Sequence, residues 1–338
     1  MMKVVRAVSS ALLLGLAACG KDGFSRASIA RAAADFARFA GRATGQETPM
    51  ADEVTRDSRT AGHPGFDTGT YPGDKAMHAW RASDAPYEWA GFYLQAPCHP
   101  DNGWSGKRVT LTSMGYGLAV VYVGQQTWGR TPGVARYVAT RVTSKVTTHV
   151  GRGRKRHAVT RNVTRTVMRR EPGPARGATC HSDFVTAARG ARDGLDAIAK
   201  ARAEGFPLGT TIFLDLERMD VLPHAMREYY MAWTRAVLMD ARFRPGIYAH
   251  TFNANTVYSD VKSVYLEVGR NDDPPFWIAK SRGFDITKLP SEVGHAFAAV
   301  WQGVLDVEQT WNGHKFPIDV NVSSVRSPSM PNTPVITD

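Results

Sequence analysis

The run TTIFLDLERMD (210–220) ends an apolar stretch with two carboxylates two residues apart. A β-strand alternates its faces with period two, so a strand here points Asp215 and Glu217 the same way. Side by side they repel each other and resist losing water, which disfavours a second charge and can hold one proton near neutral pH. A carboxyl that stays protonated beside one that ionises is suited to general acid–base chemistry. Two further acids occupy comparable positions. Asp67 closes GFD (65–67), and Asp319 lies in FPIDVNV (316–322) with Asn321 on its face.

Eight short apolar runs are available to position these acids: 63–69, 87–94, 116–124, 210–214, 243–250, 274–280, 295–303 and 315–322. Helix-length segments separate most of them. Residues 181–205 carry apolar positions at helical spacing, with Ser182 or Asp183 as cap and Gly205 as stop. Residues 223–241 place Met226, Tyr230, Trp233 and Val237 on one stripe. Buried strands alternating with helices imply an α/β class and parallel pairing, and eight of them predict a closed (β/α)8 TIM-type barrel. An open doubly wound sheet is the alternative. No GxGxxG turn follows the first strand and no GxxxxGK[ST] occurs, so nucleotide binding has no support. No cofactor is expected, and no Cys/His spacing suggests a metal. In such a barrel, functional side chains stand at the C-terminal strand ends. Asp67 and Asp319, on neighbouring first and last strands, then face Asp215 and Glu217 across the mouth.

Residues 127–180 interrupt the rhythm after the third strand. Valines alternate with Arg141, Lys145 and His149, GRGRKRH (151–157) reads as a turn, and Val159, Val163 and Val167 continue beyond it, predicting an inserted β-hairpin. Residues 130–176 hold thirteen Lys or Arg against Glu171 alone, a charge of +12 in a chain whose total is +11. The basicity therefore belongs to one appendage, which suits an anionic surface such as lipid headgroups or a wall polymer. A merely solvated arm is the plainer alternative.

The N-terminus begins with a basic MMKVVR, an apolar AVSSALLLGLAA and then Cys19. This is the pattern of a bacterial lipoprotein signal ending in an acylated cysteine, so the chain is expected to be exported and lipid-anchored in the cell envelope, at the periplasm or outer membrane. Nucleic acid is not expected there. Residues 20–61 read as a tether, 62–325 as the barrel and 326–338 as a C-terminal tail. With Cys19 carrying lipid, Cys98 and Cys180 remain, and they read equally as a disulfide or as two buried thiols.

GFD on a first strand, DLE on a fourth, VWQG (300–303) late and a final IDVNV (318–322) resemble the layout of glycoside hydrolase family 25, lysozyme-type muramidases that cleave peptidoglycan. With GFDTGTYPG and GFYL, the pattern is closer still to a related family of unknown function, the glycoside-hydrolase-like domains of exported bacterial proteins. The resemblance covers about residues 62–325. It implies Glu217 as general acid, Asp215 as the group that stabilises positive charge or orients an acetamido substituent, and Asp67 and Asp319 as assisting acids. It also implies peptidoglycan or a related amino-sugar glycan as partner.

Tyr248, Trp277 and Trp301 lie at expected strand ends, where a ring can stack on a sugar or fill the barrel; Gln302 and Asn321 are further polar contacts. Three functions compete: a glycan hydrolase, a non-catalytic glycan-binding barrel docked by its hairpin, and a nuclease whose acids hold Mg²⁺. Export argues against the third. The first two part on whether Glu217 is needed for turnover or dispensable for binding.

Overall fold

The computed structural model describes residues 61–330. The signal segment with Cys19, the tether up to residue 60 and positions 331–338 lie outside the described residues.

Eight strands close a barrel: β1 (His63–Asp67), β2 (Trp89–Tyr93), β3 (Gly117–Val123), β6 (Thr211–Leu216), β7 (Arg244–His250), β8 (Phe276–Ala279), β9 (Ala298–Trp311) and β10 (His314–Ser323). Each of the eight runs singled out in the sequence contributes one. Neighbours are parallel from β1 through β2, β3, β6, β7 and β8 to β9. The last strand departs from the expected all-parallel pairing, because β10 is antiparallel to both β9 and β1. The cause is local. Between Trp311 and His314 stand Asn312 and Gly313, both with positive φ, the combination of a two-residue hairpin, and a hairpin reverses the chain.

The central strands are buried on both faces, as β3 and β6 show by their nearly continuous apolar sequence. Trp89, Ala119, Val121, Phe213, Trp277 and Val300 fill the barrel interior. A larger outer core lies between the strands and the helices α1 (Asp74–Arg81), α2 (Arg108–Ser113), α3 (Ala187–Ala203), α4 (His224–Asp240) and α5 (Thr251–Glu267). Helix α3 starts later than the expected Ser182/Asp183 cap. Those residues form a single 3-10 turn, and the Thr186 hydroxyl accepts from Arg189 N–H as the true cap. Residues Met226, Tyr230, Trp233 and Val237 of α4 are all buried, as their spacing requires.

The packed chain runs on past residue 325. Ser327, Ser329 and Met330 are buried and stitch β3 to β6: Ser329 N–H donates to Leu118 O, and Thr211 N–H donates to Ser329 O. The hydroxyls of Ser327 and Ser329 accept from Leu118 and Val120 N–H.

Between β3 and α3, β4 (Tyr137–Val150) and β5 (His157–Arg170) pair antiparallel through their full length as a separate two-stranded sheet. At its base Cys98 and Cys180 form a disulfide, and the Gln125 side chain holds Thr179 O and His181 N–H.

Candidate active site

The barrel register brings the four acids together. Asp67 and Asp319 are direct cross-strand partners between β1 and β10. Asp215 lies inward near the end of β6, paired with Tyr248 of β7, and Glu217 follows one residue after the strand. All four line one cavity of about 70 Å³, together with Tyr93, Tyr248, Trp277 and Gln302. That is roughly the space of two water molecules. A groove of about 360 Å³ adjoins it, sharing Asp67, Tyr93 and Asp319 and running on beside Thr68, Thr70 and Asp306. A wider cavity of about 650 Å³ at the hairpin base contains none of the four acids; its carboxylates are Glu171, bonded to Arg130, and Asp183, paired with His181.

Asp67 is buried and accepts three hydrogen bonds, from Tyr93 Oη at 2.6 Å, Asn321 Nδ2 at 2.7 Å and Gln302 Nε2 at 3.1 Å. Gln302 also donates to Asp319 Oδ2 at 2.9 Å and accepts from Tyr248 Oη at 2.6 Å. Asp319 Oδ1 accepts from the Asp306 N–H at 2.7 Å. That N–H points inward because Leu305 and Asp306 together oppose Asp319, a bulge in which Asp306 takes φ 51°. Gly91 leaves room for the cluster, since a Cβ there would stand 2.5 Å from that of Asp67. The β6 end is fixed by Gln126, whose amide donates to Asp215 O and accepts from Glu217 N–H.

Among the described residues, none of the four acids forms a salt bridge. Arg218 bonds Asp220 instead, and Arg244 bonds Asp272. With no cation nearby, burial dominates and every carboxyl is pushed upward. Burial and then Asp67 raise Asp319 to about 7. Burial raises Asp67 against the pull of its three donors. Glu217 rises through burial. Asp215 is driven well above the usual carboxylate range, first by burial and then by the charges of Glu217 and Asp67, and its Oδ1 is buried without a hydrogen-bond partner. The repulsion expected to protonate Glu217 therefore falls hardest on the deeper Asp215. A cluster of this kind holds at least one proton at neutral pH while other members ionise, the condition for proton transfer.

The other residues singled out in the sequence separate cleanly. Tyr248 and Gln302 line the pit. Trp277 forms its floor, buried and donating from Nε1 to Asn321 Oδ1, so it is not an open stacking surface. Asn321 is fully buried and orients Asp67 rather than meeting a ligand. Trp301 is corrected: it points outward under Phe284 and donates to Lys280 O. Trp301 and Gln302 are consecutive in β9, so only one of them can face the interior. Sequence reasoning missed Tyr93, Gln126 and the Asp306 N–H. Tyr93 ends its strand as Asp67 does, so the strand-end rule applied to β2 would have found it. The described residues contain no cluster of His, Cys, Asp and Glu arranged to hold a metal ion.

A closed α/β barrel with a pit of cation-free carboxylates at its strand ends defines a glycoside hydrolase-like domain. The chain belongs to the Rv2525c-like, glycoside hydrolase-like domain family, whose model matches residues 78–323. Asp67 precedes the matched segment. The fold is similar to three solved structures. An uncharacterized B. stearothermophilus protein shares 17% identity over 78% of this chain and 96% of its own, with a TM-score of 0.46. The Clostridium perfringens spore cortex lytic enzyme SleM shares 11% over 82% and 69%, TM-score 0.42. The Mycobacterium tuberculosis Tat-secreted protein Rv2525c shares 15% over 77% and 94%, TM-score 0.40. No curated protein matches the chain in sequence.

Proposed function

We propose that this protein is an exported, lipid-anchored glycoside hydrolase acting on peptidoglycan or a related amino-sugar glycan. The observation that carries the reading is the convergence of four cation-free carboxyls, all raised by burial, on one pit that opens into a groove. Export and acylation at Cys19 rest on the N-terminal sequence.

Glycoside hydrolysis requires a protonated carboxyl at the leaving oxygen and an anion facing the positive charge that develops on the sugar. Glu217 is the proton donor in this scheme, because it lines the pit as the one exposed acid of the four while partial burial still raises its pKa. Asp215, its pKa raised well above the usual range by burial, is suited to orienting an acetamido substituent through its free oxygen. Asp67 accepts from three donors and is suited to carry the negative charge, with Asp319 beside it as a second proton-exchanging group. The groove can receive the glycan while the pit takes one substituent. The test is release of reducing ends from peptidoglycan by the purified protein. Glu217→Gln should lower it by about 10²–10⁴-fold with the unfolding temperature unchanged. Wild-type rate should fall as pH rises past about 7, where Asp319 loses its proton.

The narrowness of the pit favours a second reading, a barrel that binds the glycan without cleaving it. Glycan binding that survives Glu217→Gln, with no reducing ends released by wild type between about pH 4 and 8, would select it over the first.

A further inference from the structure

The β4–β5 hairpin is absorbed by neither reading of the barrel. Outside their own pairing, its strands have no substantial contact with another element of the fold. A lone two-stranded sheet is marginal in water. This one nevertheless extends 14 residues in each strand, about 46 Å at the usual rise.

Its two faces differ. Directly opposite residues of an antiparallel pair share a face, and the register sets Val138 against Arg169, Val142 against Arg165 and Val146 against Arg161. Thr140, Ser144 and Thr148 oppose Val167, Val163 and Val159 on that same face. The other face carries hydroxyl pairs, Thr143 with Thr164 and Thr147 with Thr160, each at 2.8 Å, and its cations Arg141, Lys145 and Arg170 stand beside no valine of that face. Seven valines and three arginines thus alternate on one side. Val150 is half exposed and Val159 40% exposed. Between residues 137 and 170 there is no Asp or Glu, and the tip adds Arg152, Arg154, Lys155 and Arg156.

We propose that this valine–arginine face docks on an anionic phospholipid bilayer. Arginines alone would suit any polyanion, or would merely keep free strand edges from pairing. Neither use requires a row of valines, with Val138, Val146, Val150 and Val159 exposed, on the arginine face. A bilayer interface takes both, aliphatic groups at the acyl boundary and guanidinium groups on the phosphates. The hairpin leaves the barrel after the C-terminal end of β3, the end that carries the acids.

The inference is independent of catalysis, and so is its test. The exported chain carrying Cys19→Ser, which lacks any acyl group, is mixed with phosphatidylcholine vesicles with and without phosphatidylglycerol. Wild type should bind the anionic vesicles about tenfold or more tighter than the neutral ones. Both Arg161/Arg165/Arg169→Gln and Val142/Val146/Val163→Thr should lower that binding by about tenfold or more, leaving the barrel's unfolding temperature unchanged. If a triple change unfolds the hairpin, Val146→Thr and Arg161→Gln singly give the same comparison. Failure to bind anionic vesicles would overturn the proposal. So would a valine variant that binds them like wild type, which indicates a soluble polyanion; polyphosphate bound equally by wild type and valine variant would agree with that outcome. Self-association that the valine variant abolishes, without vesicle binding, would assign the face to a second copy instead.

Discussion

Asp215 shows how burial and charge act together on one carboxyl. It has no cation, an unpartnered Oδ1 and two acidic neighbours, so the folded state keeps its proton far above the usual 3.8. Asp319 is pushed from 3.8 to about 7. Between those values the native protein holds a proton that the unfolded chain has released, so stability falls as pH rises through that window. Asp67, Asp215 and Glu217 shift in the same direction and add the same sign. Asp215→Asn cannot ionise. Urea unfolding should find it more stable than wild type at pH 8 by about 1–2 kcal/mol, with a smaller difference at pH 5. A variant less stable than wild type at pH 8 would mean that Asp215 is held ionised. Both the DLE pair and the acids of the first and last strands were legible in the sequence through period two and the strand-end rule. Which carboxyl keeps the proton was not, because desolvation depends on depth in the closed barrel.

Among the elements, the last described segment closes the barrel's N-terminal end. Four hydrogen bonds tie Ser327 and Ser329 to β3 and β6, and Gly117 allows the approach, since a Cβ there would lie 1.9 Å from Arg326 O. Ending the chain after Val325 leaves the N–H groups of Leu118, Val120 and Thr211 and the Leu118 C=O without these partners, each costing about 1–3 kcal/mol. The expected loss is several kcal/mol in urea unfolding. A loss under about 1 kcal/mol would mean that water replaces the segment. The sequence reading placed the tail's start at 326 because serine and proline carry no strand signal there. Their burial comes from the gap between β3 and β6, which pairing only from Val120 and Ile212 onward leaves open.

For the whole molecule, barrel and hairpin meet only at a base clamped by the Cys98–Cys180 disulfide, 82 residues apart in sequence. Cross-linking a loop of that length removes unfolded-state entropy worth about 4–5 kcal/mol, so reduction or Cys98→Ser/Cys180→Ser should lower stability by up to that order. Replacing 137–170 by a short Gly/Ser turn should instead leave the barrel's unfolding temperature within a few degrees, because neither strand packs on the core. A large fall on hairpin removal would show the two parts to be one cooperative unit.

The sequence by itself determined the eight barrel strands and the acids at their ends, because hydrophobic period and strand-end position are local properties. It carried the sign of β10 as well, in Asn312-Gly313, although an alternating strand–helix pattern argued for parallel pairing. Only the tertiary structure decided that Trp301 faces outward, that Tyr93 and Gln302 hold Asp67, that Cys98 meets Cys180 and that no cation among the described residues lines the pit. Those outcomes depend on which residues of distant strands come face to face, and on the water their contact expels.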